Sequence, residues 1–306
     1  MVRIGIKQVD AFTKDPFGGN PAGVVTVADS LDEEQMQSIA REMNLSETAF
    51  VAPSKRADFK VRFFTPYSEV DLCGHATIGS FHALHEEGRL DPGRSVFSQE
   101  TKAGVLEVER IFVDGRPVFM MTQAKPLFEK TDASREEIAG ILRVDAGELA
   151  DTLPLKVSTG IWWFVAGLKR LDTVMNLKPD FAAMSSFSER HGLVGMIPFS
   201  LQALDPSFTF HMRAFAPLVG VNEDPVCGTG NGCAGAYIGQ NRLVEFEKSA
   251  DLSGEAGYEV QRPGQVLISL LREGESISQV KVGGSAVTIL EGEMVFQGPC
   301  RSSNRC

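Results

Sequence analysis

One short pattern is written twice in this chain, about half its length apart, and any fold must accommodate both copies. In the first copy, Arg62-Phe63-Phe64-Thr65-Pro66 closes a strand-like run (DFKVRFFTP). An acidic loop then leads to Asp71-Leu72-Cys73-Gly74-His75. In the second, Arg213-Ala214-Phe215-Ala216-Pro217 closes the run FTFHMRAFAP, and another acidic loop leads to Asp224-Pro225-Val226-Cys227-Gly228-Thr229-Gly230. Each cysteine therefore follows a strand, a proline stop and a loop, and each directly precedes a new segment.

Those new segments read as helices. In HATIGSFHALHEEGRL, Ile78, Phe81, Leu84 and His85 recur at three-to-four spacing, and Gly88 supplies the C-terminal stop. TGNGCAGAYIGQNRL is glycine-rich at its start and ends near Gly239 and Asn241. The small residues Gly79, Gly232 and Gly235 would let two such helices pack side by side. Runs such as IGIKQVDAF, PAGVVTVA, GVLEVERI, IWWFVAGL, QVLISLLR and AVTILEGEMVF read as strands, while DEEQMQSIAREM and SREEIAGILRV read as amphipathic helices. The expected class is α+β, with two pseudo-symmetric halves, each a mixed, barrel-like sheet around a central helix. The expected boundaries are 1–122 for the first half, 123–287 for the second with a hinge near Gln123-Ala124-Lys125-Pro126, and 288–306 for a strand and tail returning to the first half.

The length of 306 residues suits two domains. Thirty basic against 40 acidic side chains give a net charge of −10 without a Lys/Arg block, which argues against nucleic acid. No run approaches the roughly 20 apolar residues of a membrane span, and the N-terminus lacks a secretion signal, so the expectation is a cytoplasmic protein. Five cysteines without a CxxC pair predict reduced thiols, and nothing in their spacing predicts a metal.

Two helix starts facing one cleft would offer unpaired amides and partial positive charge to a carboxylate, so a small acidic substrate is expected. The same field would favour thiolates at Cys73 and Cys227, and Gly74 and Gly228 leave the backbone open to close approach. The plainer alternative is that both cysteines are core residues. Glu47, in Asn44-Leu45-Ser46-Glu47-Thr48-Ala49-Phe50, lies where a helix gives way to an apolar strand, so burial would raise its pKa and make it a general base or acid. The alternative is an exposed loop glutamate. His75 is a candidate hydrogen-bond donor at the helix start. His82, His85, His191 and His211 share no motif and receive no role. Cys233 reads as buried on its helix, and Cys300 and Cys306 as part of a polar tail. Gly230-Asn231-Gly232-Cys233-Ala234-Gly235 matches GxGxxG, but a proline-bearing loop separates it from the preceding strand, which argues against a dinucleotide site.

With these residues in view, the chain resembles the PhzF-like family, named for the phenazine-biosynthesis isomerase, within the diaminopimelate-epimerase type of fold. The likeness runs through VDAFTKDPFGGNPAGVV, NLSETAFV, RFFTPYSEVDLCGHATIGSFHAL, KVSTGIWW, EDPVCGTGNGCAGAYI, QRPGQV and VGGSAV, in order along nearly the whole chain. The resemblance implies a site between two halves, no cofactor, a homodimer, and a glutamate matching Glu47 that shuttles a proton. It implies substrate-holding roles for Gly74, His75 and Asp224, and places Asn20 near the pocket. One departure matters. The phenazine enzyme has no thiol at the position of Cys227, and its serine two residues on is here Thr229. A Cys-Gly-Thr-Gly run paired with an earlier Cys-Gly is similar to the two-cysteine epimerases and proline racemases, in which one thiolate removes an α-proton and the other thiol returns one to the opposite face. A proton-transfer isomerase of PhzF-like type is the expectation, with a two-thiol epimerase or a non-catalytic acid-binding protein as alternatives.

Overall fold

A computed structural model describes residues 1–297 and resolves the chain into two compact units. The first comprises Met1–Ala11, Pro21–Glu107 and the described residues from Ala286 onward. The second comprises Phe12–Asn20 and Val108–Ser285.

In the first unit the terminal strands Val2–Ala11 and Ala286–Phe296 pair antiparallel, with an irregularity between Gln8 and Val9. Strand Asn20–Val25 runs parallel to Glu47–Ala52, and the helix Glu33–Met43 connects them. Asp32 and Gln35 form a capping box at that helix's start, a device worth about 1 kcal/mol. Its apolar face, Met36, Ile39 and Ala40, packs with Ile4, Ile6, Val25, Phe50 and Phe64. Glu47–Ala52 continues the sheet antiparallel to Phe59–Phe64, which pairs in turn with Glu69–Val70 and, in parallel, with Val96–Thr101. The helix Gly74–Glu86 is buried without a break from His75 to Leu84, so it has no solvent face over that stretch. It ends as its sequence predicts. Gly88 takes φ +66°, and Arg89 N–H donates to Leu84 O at 2.9 Å, the closure of a left-handed helix stop.

In the second unit most strands form one continuous series, and Ala214–Ala216 and Val221–Asp224 branch from Gly195–Ser200. Val108 to Val113 pairs with Arg116–Thr122, then follow Ser276–Gly284, Gly264–Glu273, Ser249–Ala256, Phe210–Met212, Gly195–Ser200, Trp162–Gly167, Leu155–Ser158 and Leu127–Glu129. Most neighbours are antiparallel, and two pairs are parallel. The helix Gly228–Gln240 touches strands spread along this series, from Ser276–Gly284 to Leu155–Ser158, so the sheet curls around it. The helices Arg135–Leu142 and Phe181–His191 cover a second core built on Leu142, Phe164, Met184, Phe187, Met196 and Phe215.

Two expectations need correction. The chain passes from the first unit to the second at Glu107/Val108, inside the strand Gly104–Val113, and not at 122/123. A tight Asp114-Gly115 turn, with both φ values positive, folds this strand onto Arg116–Thr122. That strand is locked by Met121 opposite Val282, so the hairpin belongs with the second sheet. The helix glycines meet strands and not another helix. A Cβ on Gly235 would lie 2.8 Å from Ile268, one on Gly232 3.1 Å from Val282, and one on Gly79 3.5 Å from Val9. Among the described residues no helix is long and apolar enough to cross a membrane.

Candidate active site

In the first unit, two separate stretches of chain, around Glu47 and around Cys73, meet at one imidazole. Asn44, in the left-handed conformation (φ 52°), ends the helix Glu33–Met43. Three residues later Glu47 opens the strand Glu47–Ala52, in register with Ala22. Its side chain is four-fifths buried, which removes the alternative of an exposed loop glutamate. Cys73, in extended backbone, is the residue before the helix Gly74–Glu86, and His75 lies in that helix's first turn. His75 Nε2 is 3.2 Å from a Glu47 carboxylate oxygen and 3.2 Å from Ser46 Oγ, while its Nδ1 is 3.5 Å from Cys73 Sγ.

The charges here order themselves. Burial pushes the Glu47 carboxyl up, but the hydrogen bond and charge of His75, helped by Ser46 and Cys73, outweigh it and hold the group below its usual range. Burial disfavours charge on His75 as well, yet its thiol and carboxylate neighbours hold it well above an ordinary histidine. Burial first, and then the Glu47 charge, push the Cys73 thiol up. These directions favour a carboxylate–imidazolium pair at Glu47 and His75, with the Cys73 thiol pushed up beside it.

In the second unit Cys227 occupies the corresponding position before the helix Gly228–Gln240. Its sulfur accepts from Gly230 N–H at 3.3 Å and lies 3.5 Å from Thr229 Oγ1. Thr229 in turn accepts from Trp163 Nε1 at 3.2 Å. Buried Asn20 donates through Nδ2 to Asp224 at 2.7 Å and to Val226 O at 3.1 Å. Gly228 lies over Phe12, whose ring a Cβ there would meet at 3.1 Å. Burial, followed by the Asp224 charge, drives the Cys227 thiol well above its ordinary value, against the smaller pull of Thr229 and Gly230.

The expected thiolates are therefore corrected. The helix-start amide does reach Cys227, but desolvation and a neighbouring carboxylate outweigh it. The expected rise at Glu47 is reversed by His75. Cys233 is fully buried, with its thiol pushed up to about 12 by burial, while Cys300 and Cys306 lie outside the described residues. The GxGxxG run sits inside the helix, with Gly230, Gly232 and Gly235 against the strand side chains Ile197, Val282 and Ile268, so its glycines do not form a phosphate-binding turn. Ser46 and Trp163 were not among the candidates read from sequence. Their signals were adjacency to Glu47 in NLSETAFV and membership of KVSTGIWW.

Comparison with known proteins places these features in a family. The PhzC-PhzF model, described as phenazine biosynthesis-like protein, matches residues 9–292. An uncharacterized isomerase of Clostridium acetobutylicum is 37% identical over 300 residues, covering 96% of this chain and 99% of its own. The crystal structure of a Bacillus anthracis phenazine biosynthesis protein of the PhzF family superposes with a TM-score of 0.90 at 34% identity, covering 97% of this chain and 100% of the other. A hydroxyproline epimerase from Agrobacterium vitis shares the fold alone, with a TM-score of 0.63 at 15% identity over 95% of this chain and 91% of its own. With its α+β architecture of diaminopimelate-epimerase type, the chain belongs to the PhzC-PhzF phenazine biosynthesis-like family and is an isomerase.

Proposed function

We propose that this isomerase works without a cofactor and moves a proton on a small, carboxylate-bearing substrate, with Glu47 as the group that takes and returns the proton. The supporting observation is the Glu47–His75 pair, 3.2 Å apart beside the first turn of the helix Gly74–Glu86. An ionised, partly accessible carboxylate is ready to accept a proton from a carbon acidified by a neighbouring unsaturated or carboxylate group. The first-turn amides, from Gly74 and His75 onward, hold the substrate carboxylate while charge develops. Protonated Glu47 then returns the proton to a second carbon, so nothing is oxidised or reduced. Asn20, Asp224, Gly228 and Thr229 are proposed as further substrate-binding residues.

A second reading, the two-thiol epimerase, draws support from the matching placement of Cys73 and Cys227 and from the Gly230 amide on the Cys227 sulfur. It requires both thiols to serve one substrate and one of them to lose its proton despite burial. The test is incubation in D2O with a panel of small amino, imino and cyclic unsaturated acids, followed by NMR for deuterium entering carbon positions. The Glu47 reading predicts that Glu47→Gln abolishes exchange while Cys227→Ser retains a measurable rate. Exchange that survives Glu47→Gln and disappears with either cysteine substitution would establish the two-thiol course instead.

A further inference from the structure

We infer that Glu47, Cys73 and His75 form a three-ligand site for a thiophilic divalent cation such as Zn2+. The three side chains offer a carboxylate oxygen, a sulfur and an imidazole nitrogen, all within 4.8 Å of one another. Among the described residues no other group of three such ligands converges in this way. The spacing suits one ion. Around tetrahedral zinc, bonds of about 2.3 Å to sulfur and about 2.0–2.2 Å to nitrogen and oxygen put neighbouring ligand atoms about 3.4–3.6 Å apart. Here His75 Nε2 lies 3.2 Å from Glu47 Oε2 and 3.8 Å from Cys73 Sγ, and all three ligand atoms lie within 4.8 Å of one another, so side-chain adjustment without backbone movement would bring them to three corners. Ser46 Oγ, 3.2 Å from the same nitrogen, or a water is placed to supply the fourth.

The ligand types set the selectivity. Binding releases the Cys73 thiol proton and the His75 imidazolium proton to solvent, and the resulting thiolate and imidazole favour Zn2+ or Co2+ over Mg2+ and Ca2+, which prefer all-oxygen shells. A helix start disfavours a cation, but a thiolate and a carboxylate together balance a dication there. The second unit's turn carries a thiol without this set, for Cys227 has Thr229, Gly230 and Asp224 beside it and no imidazole. If Glu47 is the base, as proposed above, a bound ion would occupy its lone pairs and inhibit exchange. That consequence rests on the functional reading, whereas the site itself does not.

The test is titration of the reduced, chelator-treated full chain with Co2+. The expected result is one ion per chain, with a near-ultraviolet thiolate-to-cobalt charge-transfer band that Zn2+ displaces. Cys73→Ser should abolish the band, and Glu47→Gln, which keeps the thiol and the side chain's shape, should weaken binding at least tenfold. Cys227→Ser, Cys233→Ser, Cys300→Ser and Cys306→Ser should each retain the band. X-ray absorption of the zinc-loaded wild type, which needs no variant, should show one sulfur among nitrogen and oxygen neighbours. No band in the wild type, a band surviving Cys73→Ser, or a shell without sulfur would overturn the site. None of these results depends on whether the protein exchanges protons in D2O.

Discussion

The two cysteine turns share a backbone plan and differ in what stands beside the sulfur. In the first unit Cys73 contacts an imidazole, which a carboxylate and a serine hydroxyl also hold. In the second, Cys227 receives a helix-start amide and a threonine hydroxyl, and its carboxylate neighbour Asp224 is held by Asn20. The second unit does bury a histidine, but His211 is clasped by Glu255 and Glu259 at 2.8 Å each. The turn is thus repeated while the chemistry around it differs. In the first turn the Glu47 carboxylate is held by the adjacent His75 imidazole. Helix starts alone do not make thiolates when the sulfur is buried.

The largest expected effect tests this asymmetry. Glu47→Gln should lower proton exchange by about 10²–10⁴-fold, the usual contribution of a general acid–base group, while Asp224→Asn should cost far less. Equal losses from the two would erase the distinction.

Stability should also depend on pH through the second unit. His211 is raised to about 9, with burial opposing and the two glutamates driving the rise. Its contribution is therefore fully present below about pH 6.5, the ordinary histidine value, and is lost as pH climbs through about 9. Its size is on the order of 3 kcal/mol. Denaturant midpoints measured from pH 6 to 10 should fall across that window in the wild type and flatten in His211→Gln. A wild-type midpoint constant across it would contradict the assignment.

Close packing of the second helix is the next target. Gly235→Ala would place its Cβ 2.8 Å from Ile268 Cγ2, and such overpacking should cost about 1–3 kcal/mol by urea denaturation. The smallest effect concerns the second site's support. Thr229→Val removes the acceptor for Trp163 Nε1–H, a loss of about 1 kcal/mol accompanied by a change in tryptophan fluorescence.

Much of this was legible in the sequence because it is local. The strand, proline and cysteine order located both helix starts, Gly88 marked a helix stop, and Asn44 to Phe50 marked the passage from helix to strand. What escaped depends on pairing. The meeting of Glu47 with His75 follows from the register of Glu47–Ala52 in its sheet, which no spacing along the chain encodes. The pKa directions escaped because they are balances. Sequence places Cys227 at a helix start, but only packing shows that burial and Asp224 outweigh that position. The glycines of both helices look alike whether they face helices or strands, and the unit boundary turned on the partner of Arg116–Thr122.

The claim that the first turn holds a carboxylate–imidazolium pair can be read directly by NMR titration of the His75 ring in the purified protein. The account predicts that the ring stays protonated through neutral pH and beyond the ordinary histidine range, and that Glu47→Gln moves its titration downward. A His75 that is neutral at pH 7, or whose titration ignores Glu47→Gln, would contradict it.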